Sequence, residues 1–200
     1  MMMTVQTLTK SNIAFPARRK KKKKLITGDE FFDMPGDAWD ELVEGEIFRM
    51  SPPGYLHGKI EVRFITLLNN FVNAHQLGDV IGGEAGIYTH REPDSIRGVD
   101  VAFVSHQQME RAQSVTYLDV APELIVEIMS PNDRWSDIMD KLEEYFAIGV
   151  KLVWVADPQR QEVLVYRSLV DVERLTPEDE LKGDDVLPGF SAPVSELLQT

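Results

Sequence analysis

The 200-residue chain contains no cysteine. That excludes disulfides, thiolate metal sites and cysteine nucleophiles, and it accords with a reducing compartment, so the expected location is cytoplasmic. The chain also has no apolar run approaching the ~18 residues that a membrane-spanning helix requires, which excludes an integral membrane protein of that kind. Acidic side chains are missing from residues 1–28, a stretch that holds eight of the 21 basic residues. Its charges follow rather than precede any apolar segment, so it does not read as a secretory signal.

The remainder carries all 33 acidic residues and a net charge of −20, opposite in character to the tail. A composition of 43% hydrophobic and 27% charged residues is that of a folded domain, and a chain of this length buries roughly two-thirds of its unfolded surface in one core. The expected division is a basic, flexible tail over 1–29 and a single domain over 30–200. Within the tail, Arg18, Arg19, Lys20, Lys21, Lys22, Lys23 and Lys24 form a run that suits a phosphate-binding arm, or a solvated segment that pairs loosely with the acidic body. The body's charge opposes non-specific binding of a polyanion. Contact with nucleic acid must then be local, bridged by metal, or supplied by the tail.

Punctuation and periodicity place the elements. DELVEGEIFRM (40–50) predicts a hairpin turning at Glu44-Gly45. Ile60, Phe64, Leu67, Leu68 and Phe71 mark one face of an amphipathic helix, with Gly78 as its stop. DVIGGEAGIYTH and GVDVAFV, separated by REPDSIRG, predict two strands, and PELIVEIMS a third. A second helix runs through DRWSDIMDKLEEYFAIG to Gly149, then strands in VKLVWVAD and EVLVYRS, with a short strand and helical turn ending the chain. This order predicts an α/β or α+β fold with a mixed sheet.

Two acids sit where strands are most apolar. Glu127 lies in the middle of LIVEIM, and burying an ionised carboxylate without a partner costs several kcal/mol. In VDVAFV, alternation sets Asp100, Ala102 and Val104 on one face and Val99, Val101 and Phe103 on the other. If the two strands are neighbours, the carboxylates lie close enough to require a proton or a metal between them. Mg²⁺ takes such oxygen ligands, completed by water and phosphate. Glu84, in GGEAG, is a possible third ligand or water-orienting group, although its glycine neighbours predict a loop. Lys141 borders the buried stripe of Ile138, Leu142, Tyr145 and Phe146, and could reach the acids to orient water or offset developing charge; the simpler role is a lysine whose stem packs while its head stays wet.

In this arrangement, ELVEGEIFRMSPPGYLHG, GVDVAFV, PELIVEIMSPND, DKLEEYFAIGV, LVWVADP and DVLPGF together resemble the Uma2 family, within the restriction-endonuclease-like PD-(D/E)xK nucleases. The resemblance spans about Trp39 to Leu198 and implies a mixed sheet flanked by helices. It makes Asp100 and Glu127 the two metal ligands, for Mg²⁺ or Mn²⁺. Val99 replaces the motif's proline, and Met129 replaces its lysine, whose place the resemblance gives to Lys141. His57 and Glu41 also fall in family-like stretches, where such residues otherwise serve as a helix-start polar group and a surface acid.

Three functions are compatible with these residues. One is a metal-dependent endonuclease acting on DNA, its tail assisting, as a homodimer by analogy. Another is a nuclease fold that no longer cuts and serves binding or oligomerisation, which Met129 and the acidic body favour. The third is a metal-dependent hydrolase of a small phosphorylated substrate.

Overall fold

A computed structural model describes residues 24–36 and 39–199. Helix α1 (Gly28–Asp33) precedes the hairpin β1 (Glu41–Val43) and β2 (Glu46–Phe48), and α2 (Tyr55–His75) follows. Then come β3 (Gly78–His90), β4 (Ser95–Ser105), α3 (His106–Met109), β5 (Leu124–Ile128), α4 (Trp135–Ile148), β6 (Leu152–Asp157), β7 (Glu162–Tyr166), β8 (Val172–Leu175), β9 (Glu180–Lys182), β10 (Ser191–Pro193) and α5 (Val194–Leu198). The fold is the mixed α+β architecture that the sequence predicts.

The hairpin turns at Glu44-Gly45, with φ of 49° and 75°, the pair of positive values a two-residue turn needs. Helix α2 ends two residues earlier than Gly78 suggests: Gln76 takes the left-handed cap at φ 53°, and Gly78 opens β3. There a Cβ on Gly78 would stand 2.1 Å from the Val104 carbonyl oxygen, so glycine serves strand contact rather than helix termination. Helix α4 does close on Gly149, at φ 103°. The turn after β3 is confined to residues 91–94, and Ser95 to Gly98 already belong to β4.

The main sheet runs β2-β1-β4-β5-β6-β7-β8, with β3 also on β4; all its pairings are antiparallel except β5 with β6. Helix α2 buries Ile60, Phe64, Leu68 and Val72 on one face, against Val101, Phe103, Leu124, Val126 and Trp154. Helix α4 buries Ile138, Leu142 and Tyr145 on the other, against Ala102, Ile125, Val153 and Val155. Alternation therefore holds along β4 from Val101 to Phe103 but not at Val99, which joins Ala102 in the α4 core. The break coincides with a bulge in β3 opposite, between Gly82 and Ala85, where two β3 residues stand against the single residue Asp100 and the local twist increases.

One feature of the sheet positions the site. Strand β3 pairs along β4 on one edge, while β1 and β5 share the other: Leu42 pairs with Ile96 near one end, and Val126 with Val101 toward the other. Between them, residues 97–100 have no strand partner on that edge among the described residues. One further step of the β4–β5 register would set Asp100 opposite Glu127, and there the ladder stops. Of the basic run, Arg18 to Lys23 lie outside the described residues; Lys24 lies within them and pairs with Glu30 at 2.6 Å.

Candidate metal centre at an opened sheet edge

Side chains satisfy the backbone where the ladder is missing. The Ile128 N–H donates to Asp100 Oδ2 at 2.6 Å. The Gly98 N–H donates to Glu41 Oε1 at 3.3 Å, and the Gly98 carbonyl accepts from Lys141 Nζ at 3.2 Å. The opening also lets helices from opposite faces of the sheet meet. From α2, His57 Nε2 lies 3.2 Å from Asp100 Oδ2; from α4, Lys141 Nζ lies 3.0 Å from Glu127 Oε2 and the Tyr145 hydroxyl donates to Glu127 Oε1 at 2.6 Å.

Every acid here is withdrawn from water, Asp100, Glu127 and Glu41 being only 5% exposed each. Glu41 is thus not the surface acid its sequence context predicts. Its carboxylate takes Lys141 Nζ at 3.2 Å and Arg97 Nη1 at 2.9 Å, because β1 begins at Glu41 beside the unpaired stretch of β4. Arg97 in turn is held by Glu144, which also accepts from the Thr89 hydroxyl at 2.6 Å. Nor is Glu84 in a loop. It sits within β3 on the bulge, at φ 59° beside Gly83 at φ 73°, and the Gly83 N–H is tied to Glu61 Oε1 of α2 at 2.8 Å. The left-handed bulge aims Glu84 across Gly98, where an added Cβ would come within 2.9 Å of its Oε2.

The charges do not balance. Burial, then the neighbouring Asp100 charge, pushes the Glu84 carboxyl up to about 8. Burial likewise raises Glu127 to about 7, against the pull of Lys141. For Lys141, burial is outweighed by Glu127 and Glu41, and the ammonium stays protonated. Burial alone would depress His57, but its contact with Asp100 holds the imidazole above its ordinary value. A site whose carboxylates must take up protons near neutral pH contains more acid than its own cations neutralise.

Ligand atoms of His57, Glu84 and Asp100 lie within 4.8 Å of one another. This donor set, mostly carboxylate oxygen with one imidazole, fits a hard divalent cation. His57 Nδ1 is buried without a partner among the described residues. Glu127 borders the same cleft, of about 430 Å³, and so do Glu41, Lys141 and Arg49. All six acidic, basic and imidazole residues singled out in the domain therefore converge, with His57 and Glu41 more central than their sequence context predicts. Sequence reasoning missed Arg97 and Tyr145; the signal for Tyr145 was its place one turn after Lys141 on the stripe facing Glu127.

No helix of the described residues is long and apolar enough to cross a membrane. No curated protein matches the chain. Among solved structures it is similar to a "putative nuclease belonging to DUF820" from Anabaena variabilis, with a TM-score of 0.73 and 20% identity over 86% of this chain and 97% of that one, a likeness of fold. Residues 29–195 match the Uma2 family, described as "Putative restriction endonuclease", and the chain belongs to that family.

Proposed function

We propose that the protein is a divalent-metal-dependent endonuclease that hydrolyses DNA phosphodiester bonds in the cleft at the opened sheet edge. The observation that carries this reading is the meeting of Asp100, Glu84 and Glu127 around one cleft with more negative charge than Lys141 and Arg97 offset. A phosphodiester would be repelled by these acids alone, so binding it there requires a cation. Asp100, Glu84 and His57 would hold Mg²⁺ or Mn²⁺, with Glu127 alongside. Such a cation, when bound, supplies polarisation of the phosphodiester and a lowered pKa for the attacking water.

The chain's own residues do the rest. Lys141 has three N–H donors and three acceptors in Glu127, Glu41 and the Gly98 carbonyl. Its part is to fix Glu127 and to offset charge that develops on phosphate, rather than to donate directly. Arg97 holds Glu41 in place for Lys141, and Tyr145 leaves one Glu127 oxygen oriented by a neutral donor. In this arrangement Lys141 supplies from a helix the positive charge that Met129, just past the end of β5, cannot supply.

Calorimetry of Mn²⁺ binding and nicking of supercoiled plasmid, on wild type, Asp100→Ala and Glu127→Ala, tests the reading. Loss of metal binding and nicking in the variants is expected. A wild type that binds no Mn²⁺ would leave these acids structural and favour a binding module; metal binding with hydrolysis of small phosphate esters only would favour the small-substrate hydrolase.

A further inference from the structure

Beside the carboxylate cleft lies a second cavity of about 280 Å³, walled by Phe31, Phe32, Met34, Trp39 and Tyr117, with Arg49 at its edge. We propose that this cavity binds an unstacked nucleobase of the nucleic acid whose phosphate occupies the carboxylate cleft, which makes the substrate single-stranded or locally unpaired; the inference rests on the nuclease reading above. Trp39, Arg49 and Glu84 line both cavities, so a chain lying in one continues into the other.

Three features suit a base rather than another apolar guest. The first is aromatic faces left open to water: Phe32 is 52% exposed and Trp39 37%, on a surface where contiguous exposed apolar groups signal binding. The second is a preformed platform. Tyr117 meets Phe31 in a stacked pair at 5.9 Å and Phe32 edge-on at 5.5 Å, and it lies so close over β3 that a Cβ on Gly86 would stand 2.3 Å from its ring. Helix α1 is pinned beneath by the Thr27–Glu30 capping box and by the Gly28 N–H on the Asp94 carboxylate at 2.7 Å. The third is charge: Arg49 is exposed, with no ion pair among the described residues, at the wall between an aromatic cavity and a phosphate-binding cleft. An apolar peptide would use the rings but leave Arg49 and the cleft without a partner, whereas a nucleotide engages all three. Stacking on such rings tolerates any base but requires one that is out of the duplex stack.

The test is fluorescence anisotropy of a labelled oligothymidylate and of an abasic strand of equal length, in Ca²⁺, with full-length wild type, Phe32→Ala and Phe32→Trp. The wild type is expected to bind the oligothymidylate about tenfold more tightly than the abasic strand. Phe32→Ala should abolish that preference while abasic binding stays unchanged, and Phe32→Trp should restore it. Equal affinity for the two strands in the wild type, binding of neither, or equal weakening of both by Phe32→Ala overturns the proposal. A second copy or the chain's own N-terminal segment seated in the cavity predicts that same indifference to the base. Plasmid nicking in Mn²⁺ on the same samples separates the two readings: base preference without nicking keeps the subsite and removes the cleavage, and nicking without base preference does the reverse.

Discussion

At the scale of single residues, the site is a problem in proton accounting. Glu84 and Glu127 have folded-state values of about 8 and about 7, above the ordinary 4.5. A raised carboxyl contributes stability that is fully present below its unfolded value and is lost as pH rises through the folded one. The metal-free protein is therefore expected to lose thermal stability between about pH 4.5 and 8, and Mn²⁺ should cancel the loss, as melting curves across that range with EDTA or Mn²⁺ would show. Metal binding at pH 7 should also release protons, so the calorimetric enthalpy should change with the ionisation enthalpy of the buffer; independence from the buffer would contradict the assignment of these acids. Tyr145→Phe removes the donor to Glu127 Oε1 without altering volume much, and is expected to weaken Mn²⁺ binding by roughly 10–100-fold while costing about 1–3 kcal/mol of stability, measured by calorimetry and urea unfolding.

At the scale of elements, the bulge in β3 and the unpaired stretch of β4 face each other across Gly98. Gly98→Ala puts a methyl within 2.9 Å of Glu84 Oε2, the free end of a flexible side chain. The fold should tolerate it with little change in melting temperature, while Glu84 is displaced and Mn²⁺ affinity falls; unchanged affinity would remove Glu84 from the ligand set. The end of α2 behaves differently. Gln76 holds a left-handed conformation that costs a non-glycine residue roughly 1–2 kcal/mol, so Gln76→Gly should raise stability by about 1 kcal/mol in urea unfolding. That expense explains why the sequence pointed to Gly78: a glycine two residues downstream is a good stop signal, but the backbone of β4 had a stronger claim on it.

At the scale of the whole molecule, the proposed function asks a body of net charge −20 to hold a polyanion in an acidic cleft. Removing residues 1–23 is expected to weaken DNA binding and flatten its salt dependence while leaving Mn²⁺ affinity unchanged, measured by binding titrations over a range of salt. A truncated protein with an unaltered salt slope would show that the basic run takes no part. The two-sided sheet explains why the site can be built at all. Helices α2 and α4 cover opposite faces, and only where β1 and β5 part along β4 can His57 and Lys141 approach the same pair of acids.

The sequence by itself determined the hairpin, both long helices and the central strands, because local propensity, capping and hydrophobic period agree there. It also marked Asp100, Glu127 and Lys141, because a charge inside an apolar strand or at the edge of a buried stripe is costly wherever it occurs. Only the tertiary structure decided that Glu41 and His57 belong to the cleft, that Glu84 rides on a bulge, and that Arg97, Glu144 and Tyr145 hold the others in place. Those facts depend on which strands share an edge of β4 and where their pairing stops, and a break between non-consecutive strands leaves no period in the chain to read.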